Sequence, residues 1–129
     1  MSVLRRIQFE DISAASKNIW SNREIADKIA IDAFEIISST SRRKFAFFTG
    51  KKSKCLIGGL FYLLGYRYND VKLQRELAKQ LTTTDMTIRH SYRQWLEAFP
   101  DLFSDVIGKF EADGNLKFFV LLNLDHTTA

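Results

Sequence analysis

The sequence predicts an all-α fold in one domain, and three observations carry that reading. Apolar residues recur at spacings of three and four through most of the N-terminal three quarters of the chain. One proline, Pro100, and six glycines are all that punctuate it. Its 129 residues, 46% of them hydrophobic, suffice for one ordinary core and are too few for two.

Residues 3–20 carry Ile7, Ile12, Ala15, Ile19 and Trp20 among polar neighbours, the pattern of one helix or two short ones. Ser21, Asn22, Arg23 and Glu24 then have the form of a capping box, Ser21 receiving a first-turn N–H and Glu24 reaching back. The helix that starts there has a buried stripe of Ile25, Ile29, Ala33, Ile36 and Ile37. Arg23, Asp27, Lys28, Asp32 and Glu35 face outward, and Ser38, Ser39, Thr40 and Ser41 end the pattern. Arg42 to Lys52 reads as a loop held on the core by Phe45, Phe47 and Phe48.

From Ser53 to Tyr66 the chain is apolar on nearly every side, which suits a central helix surrounded by others. Gly58 and Gly59 inside it each cost about 1 kcal/mol of helix propensity relative to alanine. Close approach of a neighbouring helix explains that cost. Lys72 to Leu81 places Leu73, Leu77 and Leu81 on one stripe of a helix of about three turns. Thr82, Thr83, Thr84 and Asp85 interrupt it with residues that cap helix starts well. A new helix begins near Asp85, buries Ile88, Tyr92, Trp95, Leu96 and Phe99, and stops at Pro100. Its outer face is Met86, Thr87, Arg89, His90, Arg93 and Gln94. Further on, Leu102, Phe103, Val106, Ile107 and Phe110 fit a short helix, Asp113, Gly114 and Asn115 a turn, and Leu116 to Leu124 a strand or a helix. Residues 1–103 are thus read as the helical domain and 104–129 as a C-terminal extension.

Charge is distributed unevenly. Residues 1–41 hold five basic and six acidic side chains, residues 42–93 twelve and three, and residues 94–129 two and six. The net charge of +4 therefore conceals a middle segment of +9. Positive charge confined to one segment is what a phosphate-facing surface needs, because each Lys or Arg near a phosphate releases a condensed counterion. The alternative is a solvated basic face.

Two helices of about ten and fourteen residues joined by a turn of about three have the dimensions of a helix-turn-helix, whose second helix enters the major groove N-terminus first. The groove-facing side carries Arg89, able to bond guanine through two hydrogen bonds, and Met86, able to pack on a thymine methyl. Thr87 and His90 share that face. Lys72, Arg75, Lys79 and Arg93 are placed for phosphates, and Lys51 and Lys52 from the preceding connection complete the candidate set. The competing reading is two core helices with a solvated charged rim.

The run Lys72, Leu73, Gln74, Arg75, Glu76, Leu77, Ala78, then Thr84 to Arg93, then Pro100 to Phe103, resembles the C-terminal cyclin-like repeat of transcription factor IIB. The most specific part is Thr87, Ile88, Arg89 with Ser91, Tyr92, Arg93. Gly50, Lys51, Ser53, the stretch Tyr62 to Gly65 and Asn22 extend the resemblance over residues 3–103. It implies a single five-helix cyclin-like repeat whose last two helices read promoter DNA next to the TATA box, in company with the TATA-binding protein. Met86 and Arg89 fall on the family positions that look toward bases. Thr82 stands where the family has a turn glycine, and the second repeat and zinc ribbon of that factor have no counterpart in these residues.

No enzyme is expected. His90 has one other histidine, His126, to pair with, and Glu24, Asp27 and Glu35 lie on an amphipathic surface with no base or glycine-rich loop beside them. Cys55, the single cysteine, reads as a small core residue and rules out a disulfide framework within these residues. No metal or cofactor is expected, and the longest uncharged stretch, Cys55 to Tyr66, is too short to cross a bilayer. The location that follows is the nucleus in a eukaryote, or the cytoplasm and nucleoid in an archaeon. The second functional reading is a cyclin-like protein–protein interaction module without direct DNA contact.

Overall fold

The computed structural model describes residues 7–112. Among them the chain is helical and has no strand: α1 (Phe9–Ile19), α2 (Arg23–Arg43), a single turn α3 (Phe45–Phe48), α4 (Ser53–Arg67), α5 (Gln74–Gln80), α6 (Asp85–Ala98), a 3-10 turn (Pro100–Phe103) and α7 (Ser104–Ala112). The all-α expectation holds. The anticipated turn at Asp113–Asn115 and the element at Leu116–Leu124 lie outside the described residues.

α4 is the axis of the molecule. Every residue from Leu56 to Tyr66 is buried, and α2, α5, α6 and α7 pack around it. Its two central glycines face α6. A Cβ on Gly58 would overlap the Cδ1 atom of Ile88, and a Cβ on Gly59 would strike the Ser91 hydroxyl and lie 2.5 Å from the Tyr92 backbone nitrogen. Backbone meets backbone at this crossing, so the lost helix propensity is offset by contact that no side chain permits. Two hydrogen bonds fasten it: the Ser91 hydroxyl donates to the Cys55 carbonyl, and Trp95 Nε1 donates to the Leu56 carbonyl at 3.0 Å. Ile88, Tyr92, Trp95, Leu96 and Phe99 are buried as the periodicity of α6 requires.

The helix boundaries differ from the sequence pattern in three places. Asn22, not Ser21, caps α2: its Oδ1 accepts from the Ile25 amide at 3.2 Å, and Glu24 pairs with Lys28 on the next turn instead of reaching back. The register is set upstream, where Trp20 is buried and donates its indole N–H to the Asp70 carbonyl at 2.8 Å. α2 also runs through the serine-rich stretch to Arg43. The hydroxyls of Ser39 and Thr40 donate to the Ile36 carbonyl at 3.2 and 2.6 Å and that of Ser41 to the Ser38 carbonyl at 2.9 Å, folding back on their own helix instead of breaking it. Finally, α5 spans seven residues and begins at Gln74, so Lys72 precedes it and Leu73 is 66% exposed. Asp70 and Val71 pass over Gly65, where an added Cβ would lie 3.1 Å from the Asp70 carbonyl oxygen, and the chain is not helical again until Gln74.

The stretch Arg42–Lys52, expected as a loop, contains the turn α3. Phe48 is buried and Phe47 half-buried, their rings 5.9 and 4.9 Å from that of Trp95. α7, the first part of the extension, packs on α4 with Val106 and Phe110 buried, and the Phe110 ring lies 4.5 Å from that of Tyr66.

A polar network ties α2, α4 and α7 at one end of the axis. Arg67 bonds Asp105 at 2.9 and 3.1 Å and the Leu102 carbonyl at 2.6 Å, and lies 3.6 Å from Asp32. Asp32 in turn accepts from the Tyr68 hydroxyl. Burial pushes Tyr68 up, the hydrogen bond to Asp32 adds to it, and the phenol reaches about 12. Burial opposes ionisation of Asp105, but the hydrogen bond and charge of Arg67 outweigh it and hold the carboxyl below its ordinary value. Lys109 closes the same end by donating to the Tyr66 and Arg67 carbonyls, both at 2.9 Å.

Two outcomes are expected in urea unfolding. Gly59→Ala should cost about 3 kcal/mol or more, because the new methyl meets the backbone of Ser91 and Tyr92 as well as the Ser91 hydroxyl, and the backbone cannot swing aside, whereas Gly108→Ala, with open space around it, should be neutral or stabilising by up to about 1 kcal/mol. Because the folded-state pKa of Tyr68 is raised, the stability it contributes is present below about pH 10 and lost as pH rises toward 12. Tyr68→Phe should flatten the alkaline limb of the stability profile over that window.

Candidate nucleic-acid interface

The packing of α6 on α4 decides which of its residues reach solvent. With positions 88, 91, 92, 95 and 96 turned inward, Met86, Arg89, His90 and Arg93 share the opposite stripe at successive intervals of three, one and three residues, and all four are exposed. Met86 is 60% exposed, a large apolar side chain left uncovered among cations. Thr87 sits at the border of the stripe, half-buried.

The turn that delivers α6 is a glycine-type helix end built without glycine. Thr82 has φ +56°, and behind it the Thr83 amide donates to the Ala78 carbonyl at 2.8 Å while the Thr82 amide reaches the Lys79 carbonyl at 3.4 Å. Thr84 then caps α6, its Oγ1 accepting from the Thr87 amide at 3.1 Å. Lys54 Nζ donates to the Thr82 carbonyl at 2.9 Å and pins the turn to the first turn of α4. A β-branched residue in the left-handed region is strained, which is the physical content of threonine where the resemblance implies glycine.

The basic middle segment divides into two groups. Arg43 pairs with Asp101, Lys44 bonds the Ala98 carbonyl, Lys51 the Phe47 carbonyl, Lys54 the turn, Arg67 its network, and Lys72 lies 3.7 Å from Asp70. These six of the twelve cations are built into the fold. The other six, Arg42 at the end of α2, Lys52 before α4, Arg75 and Lys79 on α5, and Arg89 and Arg93 on α6, are exposed. Of the anticipated phosphate contacts, Lys72 is thus half-buried beside an acid, and Lys51 is half-buried over the Phe47 ring, 4.2 Å from its centroid.

Beside the exposed stripe, a cleft of about 250 Å³ opens between the start of α4 and α6. Lys51, Cys55, Leu56, Thr87, His90, Ser91 and Gln94 line it. Cys55, expected in the core, is half-buried at this wall. The sequence pattern puts Gln94 on the outer face of α6 and Cys55 in the core and assigns neither to a site, although Gln94 follows Thr87 and His90 by seven and four residues and so shares their side of the helix.

Among the described residues no group of His, Cys, Asp and Glu could hold a metal ion, and no helix is long and apolar enough to cross a membrane. Comparison with protein-family models, curated proteins and solved structures gives no match to the chain.

Thr82→Gly should raise stability by about 0.5–1 kcal/mol, the release of left-handed strain exceeding the added entropy of the unfolded chain. Thermal unfolding reads this directly. A neutral or destabilising result would mean that the threonine side chain is held by favourable contacts that outweigh the strain.

Proposed function

We propose that this chain is the DNA-binding module of a general transcription initiation factor like transcription factor IIB, reading promoter DNA near the TATA box alongside the TATA-binding protein. The observation that carries the reading is the exposed stripe Met86, Arg89, His90 and Arg93 on a threonine-capped helix. A preceding short helix adds two exposed cations, Arg75 and Lys79. On this reading α1, α2, α4, α5 and α6 correspond to the five helices of a cyclin-like repeat around a buried central helix, and α5, the turn and α6 form the helix-turn-helix. Arg89 is assigned to a guanine edge, Met86 to a thymine methyl, and Lys52, Arg75, Lys79 and Arg93 to phosphates, with Thr87 and His90 flanking the base-reading pair.

A second reading, a cyclin-like docking module that binds protein without touching DNA, is favoured by Leu73 and Val71. They are 66% and 42% exposed on the segment before α5, where an apolar surface is otherwise unexplained.

Titration of fluorescent duplexes bearing a TATA-proximal element separates the two. Arg89→Ala should cost about 1–3 kcal/mol on the preferred duplex and relax preference at one base pair. Lys79→Ala should weaken all duplexes alike and lower the slope of log K against log salt by about 0.9. Affinity that is unmeasurable at low salt, with Leu73→Ser disrupting a protein complex instead, favours the docking module.

A further inference from the structure

The cleft beside α6 has a largely apolar wall rimmed by a few polar side chains. Lys51 enters from the connection before α4 and His90 from α6, and Gln94 adds an amide N–H; no carboxylate is among the seven lining residues. Two of the hydroxyls are already committed inside the protein, Thr87 to Thr84 at 2.9 Å and Ser91 to the Cys55 carbonyl. The Lys51 ammonium donates to the Phe47 carbonyl and lies over the Phe47 ring at the edge of the cleft, with N–H capacity beyond that one bond. Burial pulls its pKa below the ordinary lysine value, so a bound anion would compensate the charge for lost water. Lys51 and Gln94 also line a second cleft next to the first, together with Phe47, Glu97 and Ala98, so one carboxylate lies on the far side of the two shared residues. At about 250 Å³ the first cleft is smaller than a drug-sized site and suited to a single compact group.

We infer that this cleft seats one phosphoryl group between Lys51, His90 and Gln94. Resting on the DNA reading above, the source is a backbone phosphodiester of the bound duplex. Lys51 stands on a different element from α6. A phosphate held between them therefore sets how far along the groove Arg89 lies, which is the positioning task that backbone contacts perform for base contacts.

Cys55 is the chain's one cysteine and lines the cleft, so its alkylation by iodoacetamide reports occupancy in the intact protein. With duplex DNA at about ten times its Kd, alkylation should slow about tenfold. In Lys51→Ala, and independently in Gln94→Ala, protection at equal duplex occupancy should fall to less than about half of that. Protection by inorganic pyrophosphate or a free nucleotide, with no duplex binding by anisotropy, supports the phosphoryl site while removing DNA as its source. Duplex that binds but leaves Cys55 unprotected overturns the cleft assignment and leaves the DNA reading standing, as does full protection in both variants. If no duplex binds and no phosphate protects, both fail.

Discussion

The contact on which the rest of the structure depends is the crossing of α4 and α6 at Gly58 and Gly59. Helices that meet through glycine approach until backbone touches backbone, and at Gly59 the Tyr92 amide and the Ser91 side chain occupy the space where a Cβ would be. That closeness lets Ser91 and Trp95 reach the carbonyls of Cys55 and Leu56, so the rotation of α6 about its axis is fixed by hydrogen bonds as well as by packing. Once the rotation is fixed, Met86, Arg89, His90 and Arg93 face outward together. The same crossing brings Thr87, His90 and Gln94 opposite Lys51 and creates the cleft.

Basic charge in this chain serves two ends. Half of the cations between Arg42 and Arg93 act as structural ties, bonding helix-end carbonyls or pairing with acids up to 58 residues away. A lysine on a carbonyl keeps its charge while its position is fixed, so Lys51 and Lys54 still contribute to the potential near α6. Pairs such as Arg67 with Asp105 and Lys72 with Asp70 cancel instead. The segment sum of +9 therefore overstates the surface available to a polyanion, and what is left, apart from Arg42 at the end of α2, is concentrated on α5, α6 and the residues preceding α4.

The buried character of α4, the glycine crossing and the inward stripe of α6 were legible because each depends on local periodicity or on a residue type with one conformational use. The start of α2 lies one residue beyond the one the pattern suggests because Ser21 and Asn22 cap equally well in isolation, and the choice is made by the burial of Trp20. The serine-rich end of α2 looks like a stop in the sequence, but hydroxyls that break helices by bonding backbone can bond the preceding turn instead. The network of Asp32, Tyr68, Arg67 and Asp105 joins residues more than thirty positions apart, and no local pattern announces it. Within the candidate site the α6 stripe followed from spacing. The cleft did not, since Lys51 and Cys55 reach it only through the packing of α4 on α6.

The central claim is that the face of α6 left outside by the glycine crossing is a DNA-reading surface. Backbone amide chemical shifts followed during titration with a promoter duplex test it most directly. The account predicts that the largest shifts fall on Thr84 to Arg93, with smaller ones at Arg75 and Lys79, and that all shrink as salt is raised. Shifts centred on Val71 to Leu73, or none at low salt while the protein remains folded, would contradict it.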